Sequence, residues 1–184
     1  LFQHALQKEV RNSVTVYTIP TVVHIVHQSG PENLADTTVI NAINQVNLRF
    51  QNSAPYYDAT GNPVNIQFCL ATVDPQGNPT TGITRDFSTL TDVWFSGGGD
   101  FQLKNLNRWD PHYYYNIWSV RGIYGFPTGS LSGYSSLPLA TGDSTDGVVV
   151  MYWAMSTTTL THECGHYLGL YHTFEGLSCE NHNC

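Results

Sequence analysis

The chain has 184 residues, which suits one domain with a sizeable core. It is 41% hydrophobic but only 11% charged, which excludes an intrinsically disordered chain. A net charge of −7, with only Lys8 and Lys104 as lysines and no basic run, excludes a nucleic-acid partner, and no apolar stretch approaches the roughly 18 residues needed to cross a bilayer, so no membrane is expected.

Residues 1–14 are polar and mixed and read as a lead-in segment. The chain begins at Leu1, with no basic stretch leading into an apolar one, so a signal or pro-segment is expected to have been removed or trimmed. Residues 15–27, rich in Val, Ile and Thr, read as a strand with Pro20 near its start or at an irregularity. Over 36–52, Val39, Ile43, Val46 and Phe50 recur at helical spacing, with Asp36 or Thr37 as cap. Alternation of Val64, Ile66, Phe68 and Leu70 predicts a half-buried strand over 64–73, followed by turn residues from Asp74 to Pro79.

Residues 83–111 carry no clear period, and Gly97–Gly99 read as a flexible loop. Residues 113–120 and 147–153 read as strands. Between them, 121–145 is rich in Gly, Ser and Pro and is expected to be mostly loop, with a short extended piece at Gly133–Leu137. A last helix is predicted from about Ser156 to Leu168. Strands and helices in this order make an α+β or α/β sheet with packing helices. The four cysteines, Cys69, Cys164, Cys179 and Cys184, fit disulfides in an oxidising compartment and allow three full pairings.

Residues 162–172 read His-Glu-Cys-Gly-His-Tyr-Leu-Gly-Leu-Tyr-His, the pattern H-E-x-x-H-x-x-G-x-x-H. Four residues turn a helix by about 400° and rise about 6 Å, so His162 and His166 stack on one face and can grip one ion. Gly169 can end the helix in a left-handed conformation and let the chain bring His172 to the same ion. Three imidazoles leave the fourth position of a tetrahedral zinc for water, whose pKa falls from about 15.7 to near 7. Glu163, about 100° around the helix from His162, can flank the metal as general base without ligating it. The blander readings are a helix with exposed histidines and no metal, or a zinc site that has lost catalysis.

The run Thr161–Phe174, in which Thr-Phe follows the third histidine, resembles the pappalysin or cytophagalysin branch of the metzincin metalloproteases. Ile19–His27, Ala71–Arg85, Tyr115–Val120 and Asp146–Val150 also resemble bacterial secreted members. The resemblance implies a zincin-like α+β fold: a mixed, twisted sheet with a backing helix and an active-site helix, above a smaller C-terminal subdomain. It implies zinc held by His162, His166 and His172, Glu163 as catalytic base, and structural calcium. It further implies a protein or peptide substrate laid against an edge strand, for which Gly133–Leu137 is the candidate, and a secreted, extracellular location.

The family's Met-turn lies well after the third histidine, whereas only twelve residues follow His172 here and Met151 and Met155 precede the helix. Residues 15–184 are therefore expected to be the N-terminal portion of a metzincin catalytic domain, with its C-terminal subdomain largely missing. The remainder would be trimmed, cleaved off or carried on a partner fragment of the same precursor. The expected activity is zinc-dependent endopeptidase cleavage through a metal-activated water. The rival is a zinc-binding fragment without turnover that must associate with a second polypeptide.

Other signals have plainer readings. Cys164 points away from the two histidines and reads as a small core residue. His24 and His27 fall on opposite faces of a strand and read as structural. Asp143 and Asp146 lack the alternating oxygen pattern of a calcium loop and read as turn residues. Gly97–Asp100 lacks the Gly-Lys-Ser/Thr of a phosphate loop. Tyr113–Tyr115 and Trp118 fit a core strand.

Overall fold

The computed structural model describes residues 15–125, 131–138 and 144–172. The lead-in segment, Asp143, Cys179 and Cys184 lie outside them.

The central sheet is built on one long strand, β1 (Tyr17–His27). Along one edge of β1 lie β2 (Ile66–Leu70) and β3 (Ile83–Phe87) end to end, and along the other lies β5 (Tyr115–Val120). Next come β8 (Val148–Met151) and the edge strand β7 (Gly133–Ser135). Every pairing is parallel except β7 with β8. Parallel strands covered on both faces read as unbroken apolar runs, and all six residues of β5 are buried. Pro20 sits one residue before β1 begins to pair with β5 at Thr21. Its missing N–H therefore falls where only one neighbour needs to be bonded.

Two apolar layers sandwich this sheet. On one face α1 (Asp36–Phe50) packs Val39, Ile43 and Val46 against Val23, Phe68 and Ile117, beside α3 (Thr158–Tyr167), which contributes Leu160 and Cys164. On the other face α2 (Gly99–Asn107) inserts Leu103 against Trp118 and Val149, next to a small parallel pair, β4 (Asp92–Trp94) and β6 (Gly122–Tyr124). This is the expected mixed sheet with a backing helix, α1, and a second helix, α3, bearing the histidine motif.

Several local expectations are corrected. The α1 cap position is Ala35 with no side-chain bond, because Asp36 pairs instead with Arg85 of β3 at 2.5 Å. Residues 83–111 hold β3, β4 and α2. Gly98 takes a positive φ of 78° just before α2, and a Cβ on Gly99 would lie 2.2 Å from the Trp94 carbonyl oxygen. Those glycines are a helix entry rather than a flexible loop. The candidate edge strand stops at Ser135, where Ser136 turns to the Gly147 backbone. Tyr115 and Trp118 are core residues, but Tyr113 is 71% exposed. Asp146 is no surface turn residue, since it is 1% exposed.

Candidate metal centre and cleft

The histidines are positioned by how α3 starts and stops. Thr157 caps its first turn, its hydroxyl accepting from the Thr159 N–H at 3.2 Å. At the other end Gly169 adopts a φ of 93°. Its N–H bonds the His166 carbonyl at 2.9 Å, and the Leu170 N–H reaches back to Gly165 at 3.0 Å. That pair of bonds is a Schellman motif, which satisfies the last carbonyls and reverses the chain. Two residues later His172 faces the helix it has just left.

The three Nε2 atoms converge. His162 and His166 stand 2.9 Å apart, and His172 is 3.1 Å from each. Among the described residues this is the one group of three or more histidine, cysteine or carboxylate side chains gathered closely enough to hold an ion. Ligand nitrogens about 2.0–2.1 Å from a tetrahedral zinc lie roughly 3.3 Å from one another, so the donor set fits zinc after a small spreading. A second observation points the same way. His166 Nδ1 donates to the Leu170 carbonyl at 2.6 Å, which fixes the tautomer and leaves the Nε2 lone pair for a ligand. Burial and the two neighbouring imidazoles lower the His162 pKa, which favours the neutral, metal-binding form.

Glu163 faces the other way around the helix, toward β7, and is 6% exposed. Burial pushes its carboxyl up to about 7, with His166 pulling in the opposite direction. A cleft of about 930 Å³ runs along the packed pair β7 and α3. Gly133, Tyr134 and Leu137 line one wall, Thr159 and Glu163 the other, and the three histidines also border it. A second hollow of about 660 Å³ lies across the histidines, toward Arg49, Phe50 and Val64.

The structure thus brings His162, His166, His172 and Glu163 together at one place and puts the predicted edge strand opposite them. Cys164 is buried in the core with the Tyr115 hydroxyl at 3.3 Å, and burial pushes its thiol up to about 12. Cys69 and Cys164 are both free thiols. His24 and His27 stand apart from the site. Sequence reasoning missed the second hollow, and no spacing signal links Arg49 or Val64 to the histidine motif.

The chain is similar to known proteins. The family model described as pregnancy-associated plasma protein-A matches residues 100–184. An extracellular metalloprotease of Colletotrichum graminicola is 34% identical over 100 residues, covering 50% of this chain and 36% of that protein. Mature mirolysin of Tannerella forsythia, solved with a cleaved peptide, superposes with a TM-score of 0.72 at 32% identity, over 90% of this chain and 68% of mirolysin. The chain belongs to the pappalysin-like metzincin metalloproteases. Mirolysin in complex with a ligand called compound 9 gives the same TM-score at 31% identity, over 86% of this metzincin and 65% of that chain. This metzincin therefore spans about two thirds of mirolysin and about a third of the fungal protein.

Proposed function

We propose that residues 15–184 of this metzincin form the N-terminal portion, through the third histidine, of the catalytic domain of a secreted zinc endopeptidase. The carrying observation is the convergence of three Nε2 atoms beside a buried carboxylate, in a cleft whose far wall is an antiparallel edge strand.

His162, His166 and His172 would hold the metal, with His166 oriented by the Leu170 carbonyl. Zinc bound there supplies Lewis acidity, which acidifies a water and polarises a peptide carbonyl. Glu163 accepts the proton of the attacking water and delivers it to the departing amine. The outer edge of β7 offers main-chain groups to an extended peptide added as an antiparallel strand. Support for a peptide substrate comes from mirolysin, solved with a cleaved peptide. The extracellular description of the fungal relative supports secretion. Among the described residues no helix is long and apolar enough to cross a membrane. No carboxylate cluster among them supports the structural calcium that the resemblance implies.

The test is cleavage of unfolded casein with and without a zinc chelator, beside Glu163→Ala. The expected result is chelator-sensitive cleavage that falls by about 10²–10⁴-fold in the variant, while zinc stays bound. Near-native turnover by Glu163→Ala would overturn the mechanism. Zinc binding without any cleavage would favour the rival reading, a fragment that needs a second polypeptide.

A further inference from the structure

A buried lysine on the far face of the sheet is tied to the β7 wall of the cleft. Lys104 of α2 is 1% exposed. Its Nζ donates to the Thr145 carbonyl at 2.5 Å and pairs with Asp100 Oδ1 at 3.1 Å, one helical turn earlier. It stands 5.3 Å from the centre of the Tyr134 ring and 5.9 Å from that of Trp118. Asp100 in turn accepts the Tyr134 hydroxyl at 2.5 Å, and Tyr134 is the central residue of β7.

A second contact joins the same network to the end of β7. Thr145, whose carbonyl receives Lys104, precedes the buried Asp146, which accepts the hydroxyl of Ser136, one residue past β7, at 3.5 Å. β7 thus carries a phenol held by a carboxylate, and that carboxylate is neutralised by one buried ammonium. A charge taken out of water is retained at a cost that only such partners offset. The plainer reading is a structural ion pair that merely seats α2. Against it, the phenol it holds belongs to β7, which borders the cleft, and α2 itself does not reach the histidines.

We propose that Lys104 is a positioning residue. Through Asp100–Tyr134 it sets how β7 stands against α3, and so the height of the rim on which a peptide strand is laid. The proposal rests on the reading of β7 as that rim.

The experiment compares zinc-loaded wild type with Tyr134→Phe, which removes one hydroxyl and keeps the ring, and with Lys104→Met. Amide hydrogen exchange is read strand by strand, and kcat and KM are measured on a peptide long enough to lie along β7. In Tyr134→Phe the β7–β8 amides should exchange about tenfold faster while β1 and β5 keep their rates. KM should rise about tenfold, with zinc affinity as in wild type. Lys104→Met should accelerate the same β7–β8 amides further; should it fail to fold, Tyr134→Phe decides alone. Unchanged β7 exchange in Tyr134→Phe, or equal acceleration across the whole sheet, would overturn the proposal. A wild-type protein that binds zinc and cleaves nothing would overturn the functional reading instead, and the exchange result would still decide the positioning role.

Discussion

Gly133 of β7 stands so close to Glu163 of α3 that no larger residue fits without displacement. A Cβ built on Gly133 would lie 3.2 Å from Glu163 Cγ, 3.1 Å from Thr159 Cγ2 and 3.2 Å from the Val149 carbonyl oxygen. Gly133→Ala should therefore push the Glu163 side chain or the strand aside by a few tenths of an ångström. Misplacement near the reacting groups costs rate steeply, so kcat/KM should drop by about tenfold. Stability should change by about 1 kcal/mol or less, and zinc content should not change. Steady-state kinetics beside a melting curve check this, and equal kcat/KM in the two proteins would contradict it.

Gly169 carries the reversal that returns His172 to the helix. At its φ of 93° a side chain is strained, and a Cβ would also reach 3.4 Å from Pro138 Cγ. Gly169→Ala should cost about 1–2 kcal/mol and loosen the metal centre by displacing His172. Competition with a chromophoric chelator should report zinc held about tenfold more weakly. Unaltered zinc affinity would mean that His172 is placed independently of the turn.

Metal removal separates binding from folding. A ligand that binds only the native state raises stability by mass action, so a chelator should lower the wild-type melting temperature. His166→Ala, which removes the ring oriented by the Leu170 carbonyl, should bind no stoichiometric zinc and show no chelator response. A chelator-sensitive melting temperature in His166→Ala would show that the ion is held elsewhere.

His24 makes the fold acid-sensitive. It is fully buried between Thr84 Oγ1 at 2.8 Å and Asn116 Oδ1 at 3.0 Å, and it stacks on Trp118. Burial, partly opposed by the Asn116 hydrogen bond, lowers its pKa from 6.5 to about 4. The unfolded chain then takes up the proton first. The stabilisation is complete above about pH 6.5 and is lost as the pH falls toward 4, amounting to about 3 kcal/mol over that window. Urea midpoints at pH 7 and pH 4.5 should fall less steeply in His24→Gln than in wild type, even though the variant starts lower. Parallel pH profiles would remove His24 as the cause.

The parts legible in the sequence are those where one residue pattern answers to one environment. The Val-rich runs of β1 and β8 read correctly because both of their faces meet apolar layers, and the spacing Val39–Ile43–Val46 because α1 meets one. The histidine motif reads because helix geometry alone brings His162 and His166 together. Illegible parts depend on partners distant in the chain. α2 is only nine residues long and is entered through glycines, whose small size is required by the Trp94 backbone. Asp36 looks like a cap until Arg85 arrives from another strand. Lys104 looks like a solvated charge, and nothing local says that the Thr145 carbonyl will receive it inside the fold.

The hydrogen bond from His166 Nδ1 to the Leu170 carbonyl has an evolutionary consequence. Its acceptor belongs to the main chain, so replacing the side chain at 170 leaves it in place. The proton that decides which nitrogen of His166 faces the ion is thus shielded from most point substitutions of its partner. It is exposed to a different kind of change: inserting or deleting one residue between His166 and Leu170 would swing that carbonyl to another side of the helix axis. Drift at position 170 can vary the letter, but the segment must keep Gly169 and conserve the count.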